Sequence, residues 1–158
     1  MRISRLRDGE WIAGVGGVAL LASLFTVWYA PTVVFGALDR LDLRTTGWEA
    51  FSVLDVVLAL LALVPLALVV LQATRESPSL PVAFSVLTML AGLLATLLIL
   101  YRIVNQPGPN DRVEVELGAW IGLAAAAITA AGGWRSLREE AIPGVALPPV
   151  EQLPVPAP

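Results

Sequence analysis

Residues 56–70 read Val-Val-Leu-Ala-Leu-Leu-Ala-Leu-Val-Pro-Leu-Ala-Leu-Val-Val, a run without one polar side chain. A helix that is apolar all round has no face to show to water, so it lies in a large core or in lipid. Three more apolar runs, at about residues 11–30, 81–104 and 117–134, accompany this one, which itself extends over about 50–72. Each is near the ~20 residues that cross a bilayer at ~1.5 Å per residue. The blocks account for a chain that is 57% hydrophobic and only 15% charged, where soluble domains carry about 25% charged residues. The expected class is all-α membrane: a four-helix transmembrane bundle over residues 1–140 with short outer loops. A small extended outer cap and a disordered Pro-rich tail over residues 141–158 complete it.

Local signals set the boundaries. Arg2, Arg5 and Arg7 precede the first run, and Pro31 stands where a signal peptide would need small residues, so the first span is read as retained. Ala13, Gly14, Gly16 and Gly17 make that span slim. Residues 31–45 mix Asp39, Arg40, Asp42 and Arg44 with leucines, as a surface or interfacial segment does. Thr46-Gly-Trp-Glu49 fits a capping box, predicting a helix from there to about residue 72, with Pro65 bending it. Residues 72–80 form the turn, and Asn105-Gln-Pro-Gly-Pro109 stops the third span. Val113, Val115 and Leu117 alternate with Glu114 and Glu116, which favours a strand over an early helix start. Six of the twelve prolines fall in residues 141–158, too many for a packed core.

Four spans put both termini on one side. That side holds Arg2, Arg5, Arg7, Arg75, Arg135 and Arg138; the other holds Arg40, Arg44, Arg102 and Arg112. The bias, and the cluster before the first span, place both termini in the cytoplasm. Trp11 and Trp134 then fall at inner ends of spans, and Trp28, Tyr29, Trp48, Tyr101 and Trp120 at outer ends, where aromatic belts form.

Chemistry is scarce. The chain has no Cys, no His and no Lys, so disulfides, imidazole catalysis, the usual zinc sites and Schiff-base chemistry are excluded. All ten basic residues are Arg, which fits the codon usage of a GC-rich genome. A net charge of −3 lacks the basic footprint of a nucleic-acid binder. No cofactor is expected. Asp55 and Arg102 are the sharpest pair: helical rise puts them at depths ~6 Å apart, and their side chains lean toward each other. An intramembrane ion pair is expected, read as a clasp between helices rather than a ligand or proton site, because one pair is not a pathway. Gly118, Gly122, Ala126 and Ala130 recur every four residues as a packing stripe, read as internal rather than a dimer face. The acids Asp39, Asp42, Glu49, Asp111, Glu114 and Glu116 lack calcium-loop spacing and are read as solvated charge.

Gly47-Trp-Glu-Ala-Phe-Ser-Val-Leu-Asp55, Tyr101-Arg-Ile-Val-Asn-Gln-Pro-Gly108 and Gly118-Ala-Trp-Ile-Gly122 together resemble a loose group of small four-span membrane proteins of high-GC Gram-positive bacteria. The resemblance covers about residues 10–140. It implies a topology and a bacterial cell-membrane location, and no activity. The expected function is a non-enzymatic structural or interaction role, with lipids and a second copy or another membrane protein as partners. The alternatives are a subunit of an oligomeric channel or transporter and, third, a lipid-binding or lipid-modifying protein.

Overall fold

The computed structural model describes residues 6–32, 44–74, 82–107 and 112–140. The Pro-rich tail, Arg2, Arg5, the segment 33–43 and the turn around 75–81 lie outside the described residues. In chain order the elements are α1 (Asp8–Ser23), β1 (Val27–Pro31), β2 (Thr45–Thr46), α2 (Gly47–Ala50), α3 (Leu54–Thr74), α4 (Val82–Val104), β3 (Val113–Val115) and α5 (Leu117–Glu140). Among the described residues, three helices are long and apolar enough to cross a membrane: Leu54–Thr74, Phe84–Val104 and Leu117–Glu139.

The first apolar run is not one helix. α1 stops at Ser23 after 16 residues, about 24 Å of helix. The Ser23 carbonyl accepts from the Thr26 amide at 3.0 Å, the Thr26 hydroxyl at 2.6 Å and Trp28 Nε1 at 2.7 Å. With that oxygen taken by donors three and five residues on, the chain turns and leaves as a strand. Val27, Trp28 and Tyr29 are β-branched or aromatic, the types that suit a strand. Hydropathy scores them as span because it registers only that they are apolar.

The second helix also starts later than the capping box suggests. The Thr46 amide and hydroxyl both donate to Glu49 Oε2, at 2.9 and 3.0 Å. The turn they cap, α2, ends after four residues, and Phe51 is extended at φ −129° and ψ 148°. α3 then begins at Leu54 and continues through Pro65. The alternating residues at 113–115 are a strand.

β1 is the centre of a three-stranded antiparallel sheet ordered β2-β1-β3. Tyr29 stands opposite Val115, and Ala30 opposite Glu114. Two bonds lengthen this ladder, Glu116 N–H to Trp28 O at 2.8 Å and Thr32 N–H to Arg112 O at 3.0 Å. The sheet thus joins the end of α1 to the entrances of α3 and α5.

Among the helices, α5 packs most extensively on α1 and on α4, while α3 rests on α1 and less closely on α4. Small residues make the close contacts. A methyl group on Gly16 would lie 2.8 Å from the Thr129 amide nitrogen of α5, and one on Gly132 would lie 2.8 Å from Ala13 Cα. On the other flank of α1, Gly17 leaves room for the Pro65 ring, whose Cγ would be 2.7 Å from an added Cβ. Gly92 of α4 fits Ala130 of α5 in the same way, at 2.7 Å from its Cα. Helices that meet at backbone distance gain dispersion contact along their length, the main attraction open to helices in lipid.

Gly132→Leu therefore forces α1 and α5 apart. We expect a loss of stability of about 1–3 kcal/mol or more, the usual cost of overpacking, seen as a lowered melting temperature of the detergent-solubilised protein. Leu60→Ala, at a position 59% exposed, should leave the melting temperature close to that of the unchanged chain.

Candidate functional site

The most densely built polar and aromatic region is where the sheet meets the helix ends. Trp28 and Tyr29 are 0% and 2% exposed, so they form the core of the cap and are not belt residues. Trp28 lies over the small-residue stripe: a Cβ on Gly122 would be 2.9 Å from Trp28 Cζ2 and 3.0 Å from Ser23 Oγ. Gly118 faces Trp28 as well, Ala126 is fully buried and Ala130 meets Gly92. The stripe is spent inside the molecule. Trp11, Tyr101, Trp120 and Trp134 are each about half exposed, as interfacial anchors would be, and Trp48 is half-buried with its ring 5.7 Å from Phe25.

Phe51 is the centre of the cap. Trp28 and Tyr29 both meet its ring edge to face, with centroids 5.7 and 5.9 Å away. The Arg102 guanidinium carbon sits 4.5 Å from the ring centroid, well inside the ~6 Å range of cation–π attraction. The Tyr29 hydroxyl donates to the Arg102 carbonyl at 3.1 Å and satisfies one of the free carbonyls at the end of α4. Burial pushes the Tyr29 phenol up to about 12 from 10.0, with the Arg102 charge acting the other way.

Asp55 and Arg102 do not form the expected ion pair among the described residues. Asp55 lies in the first turn of α3, buried, and its Oδ1 accepts from the Val56 amide at 2.8 Å. The positive end of the helix dipole steadies an acid there without a cation. Arg102 uses the Phe51 face instead, and its Nε is buried with no hydrogen-bond partner. The sequence reading began that helix too early, and Asp55 lies in the first turn of the apolar helix Leu54–Thr74 rather than one turn inside it. Phe51, the residue that takes up Arg102, carried only the signal of one more apolar position.

A second polar group was missed at the opposite end of the helices. Glu10 and Gln72 are 1% and 8% exposed, and Gln72 Nε2 donates to Glu10 Oε1 at 3.0 Å. Glu10 Oε2 also accepts from the Arg7 amide at 3.1 Å, so the acid closes the first turn of α1. Beside it, Arg135 bonds Asp8 at 2.7 Å and Glu139 at 2.9 Å. Ser85 and Ser136 share a buried bond of 3.1 Å between α4 and α5. Glutamate at the third position of a helix was a readable capping signal; its partner on α3 was not.

Among the described residues, no three acidic side chains gather closely enough to hold a metal ion. Comparison with protein-family models, curated proteins and solved structures gives no match to this chain, so function rests on geometry.

Two outcomes follow from this geometry. In a double-mutant cycle, Phe51→Leu and Arg102→Gln should couple by about 0.5–2 kcal/mol, as a cation–π contact does. Asp55→Asn and Arg102→Gln should instead add independently. The Tyr29 phenol should also make stability fall with alkali. Below pH about 10 it is protonated whether the chain is folded or unfolded. From about 10 to about 12 only the folded chain still holds the proton, so stability drops as pH rises through that window. Tyr29→Phe should flatten that decline in melts recorded across the window.

Proposed function

We propose that this chain is a non-enzymatic multi-pass membrane protein of a bacterial cell membrane, a four-helix transmembrane bundle with cytoplasmic termini and a structural or interaction role. α1, α3, α4 and α5 are its spans, with α1 the shortest. The cap built on β1 is the folded surface it presents outside, and membrane lipids together with a second copy or another membrane protein are its partners.

One observation carries this reading. Away from the helix ends, where Asp8, Thr74, Tyr101 and Arg135 are exposed, the polar side chains within the helices are turned inward and the outward positions are apolar. Ser23, Ser85, Thr88, Thr129 and Ser136 are all at most 1% exposed. Leu60, Leu63, Leu87, Leu90, Leu97 and Leu100 face outward. A lipid-facing surface has this character, and turning the polar groups inward keeps them out of hydrocarbon. A channel subunit whose path runs along an oligomer axis needs polar groups on an outward face, and the outward positions described on α3 and α4 supply leucine, valine and Ala67, with Thr74 and Tyr101 near the helix ends.

Two experiments test the proposal. The chain has no native cysteine, so single replacements report topology cleanly. Glu114→Cys should react with a membrane-impermeant maleimide in intact cells, and Arg138→Cys only after permeabilisation. Labelling of both in intact cells overturns the topology. In proteoliposomes, ion flux should equal that of protein-free vesicles; flux that rises with protein content would replace the structural reading with the channel one.

A further inference from the structure

The lipid-facing side of α1 and α3 carries a groove of about 350 Å³, lined by Trp11, Gly14, Val15, Val18, Leu66 and Val69. Its size lies at the lower end of the roughly 300–1,000 Å³ of small-molecule sites. Gly14 opens it: without a side chain there, Val69 forms the floor, and an added Cβ would lie 2.8 Å from Val69 Cγ2. Val15 and Val18, 58% and 57% exposed, stand at the rim.

Charge identifies the occupant. Trp11, Gly14 and Val18 lie along one face of α1, and Arg7, the extended N-cap residue just before the helix, stands one turn ahead of Trp11, whose amide donates to the Arg7 carbonyl at 3.1 Å. The Arg7 guanidinium makes no ion pair with a described residue; the adjacent Asp8 is bound to Arg135 at 2.7 Å, and Glu10 takes the Arg7 amide at 3.1 Å. An apolar slot therefore runs down the helix from a cation, with Trp11 between them at the level an interfacial aromatic takes. α1 spans about 24 Å, short of a ~30 Å hydrocarbon core, so lipid beside it must adapt. A second copy of the chain would bring apolar helix faces, and the acids described at this end, Asp8, Glu10 and Glu139, are already bonded to Arg135 and Gln72. Residues 141–158 contain a single acid, Glu151.

We infer that the α1–α3 groove holds one acyl chain of an anionic glycerophospholipid, with its phosphate at Arg7. The inference rests on the reading that these helices span a membrane. The lipid belongs to the leaflet that meets the start of α1, and the site selects it by head charge together with a chain-shaped slot.

The test uses the full chain in nanodiscs of equal phosphatidylglycerol and phosphatidylcholine, read by native mass spectrometry. One phosphatidylglycerol should stay bound per chain. Val18→Trp fills the groove from an exposed position and should abolish retention while the circular-dichroism melt is unchanged. Arg7→Gln should keep the lipid but lower the preference for phosphatidylglycerol about fivefold, the worth of one basic residue near an anionic surface. Retention by Val18→Trp, or unchanged preference in Arg7→Gln, overturns the proposal. So does a change in the number of chains per particle on Val18→Trp, which would assign the groove to a second copy. A chain that incorporates into nanodiscs yet retains no lipid overturns this inference alone. A chain that stays soluble and never incorporates overturns the membrane reading with it.

Discussion

Backbone-close contact along α5 is the constraint on which the rest of this structure depends. Gly16 and Gly132 bring α1 against one side of α5, and Gly92 brings α4 against another, each with an added Cβ under 3 Å from its neighbour. In the membrane setting proposed above, an apolar side chain gains little by leaving hydrocarbon for a helix surface, so shape must supply the attraction. Small residues supply it by letting the helices touch over many atoms. α3 joins the same group through Gly17 of α1, where the Pro65 ring lies.

The cap follows from where α1 ends. Once the Ser23 carbonyl is taken by Thr26 and Trp28, the chain emerges as β1 beside the entrance of α5. Trp28 then covers Gly118 and Gly122, and Phe51 closes over Trp28 and Tyr29. Arg102 completes the cluster from the end of α4. The cap ties four helix ends together by aromatic edges, one cation on a ring face and strand hydrogen bonds. A guanidinium can be held by a π face as well as by a carboxylate, and here the ring is the partner.

The two ends of the molecule are built differently. The cap end is aromatic and strand-bonded. The opposite end is held by carboxylates: Glu10 with Gln72, and Arg135 with Asp8 and Glu139. Between them the helices turn hydroxyls inward and leucines outward. That distribution underlies both proposals, a non-catalytic membrane role and a lipid seat along the thin side of α1.

Much of this was legible from local signals. Long apolar blocks with few charges dictated helices of spanning length at 54–74, 84–104 and 117–139. Alternation at 113–115 gave a strand, and Thr46 with Glu49 made a cap bond. Each is a property of neighbouring residues, which sequence records directly. Tertiary structure decided the end of α1 at Ser23, the late start of α3, the burial of Trp28 and Tyr29, and the choice of Phe51 over Asp55 as the partner of Arg102. The reason is physical. A helix that is apolar on every side has no amphipathic stripe, so hydropathy does not say which way it faces or which residues it meets across the fold. Only the packing of glycine against backbone, and of one aromatic ring beneath a guanidinium, makes that choice.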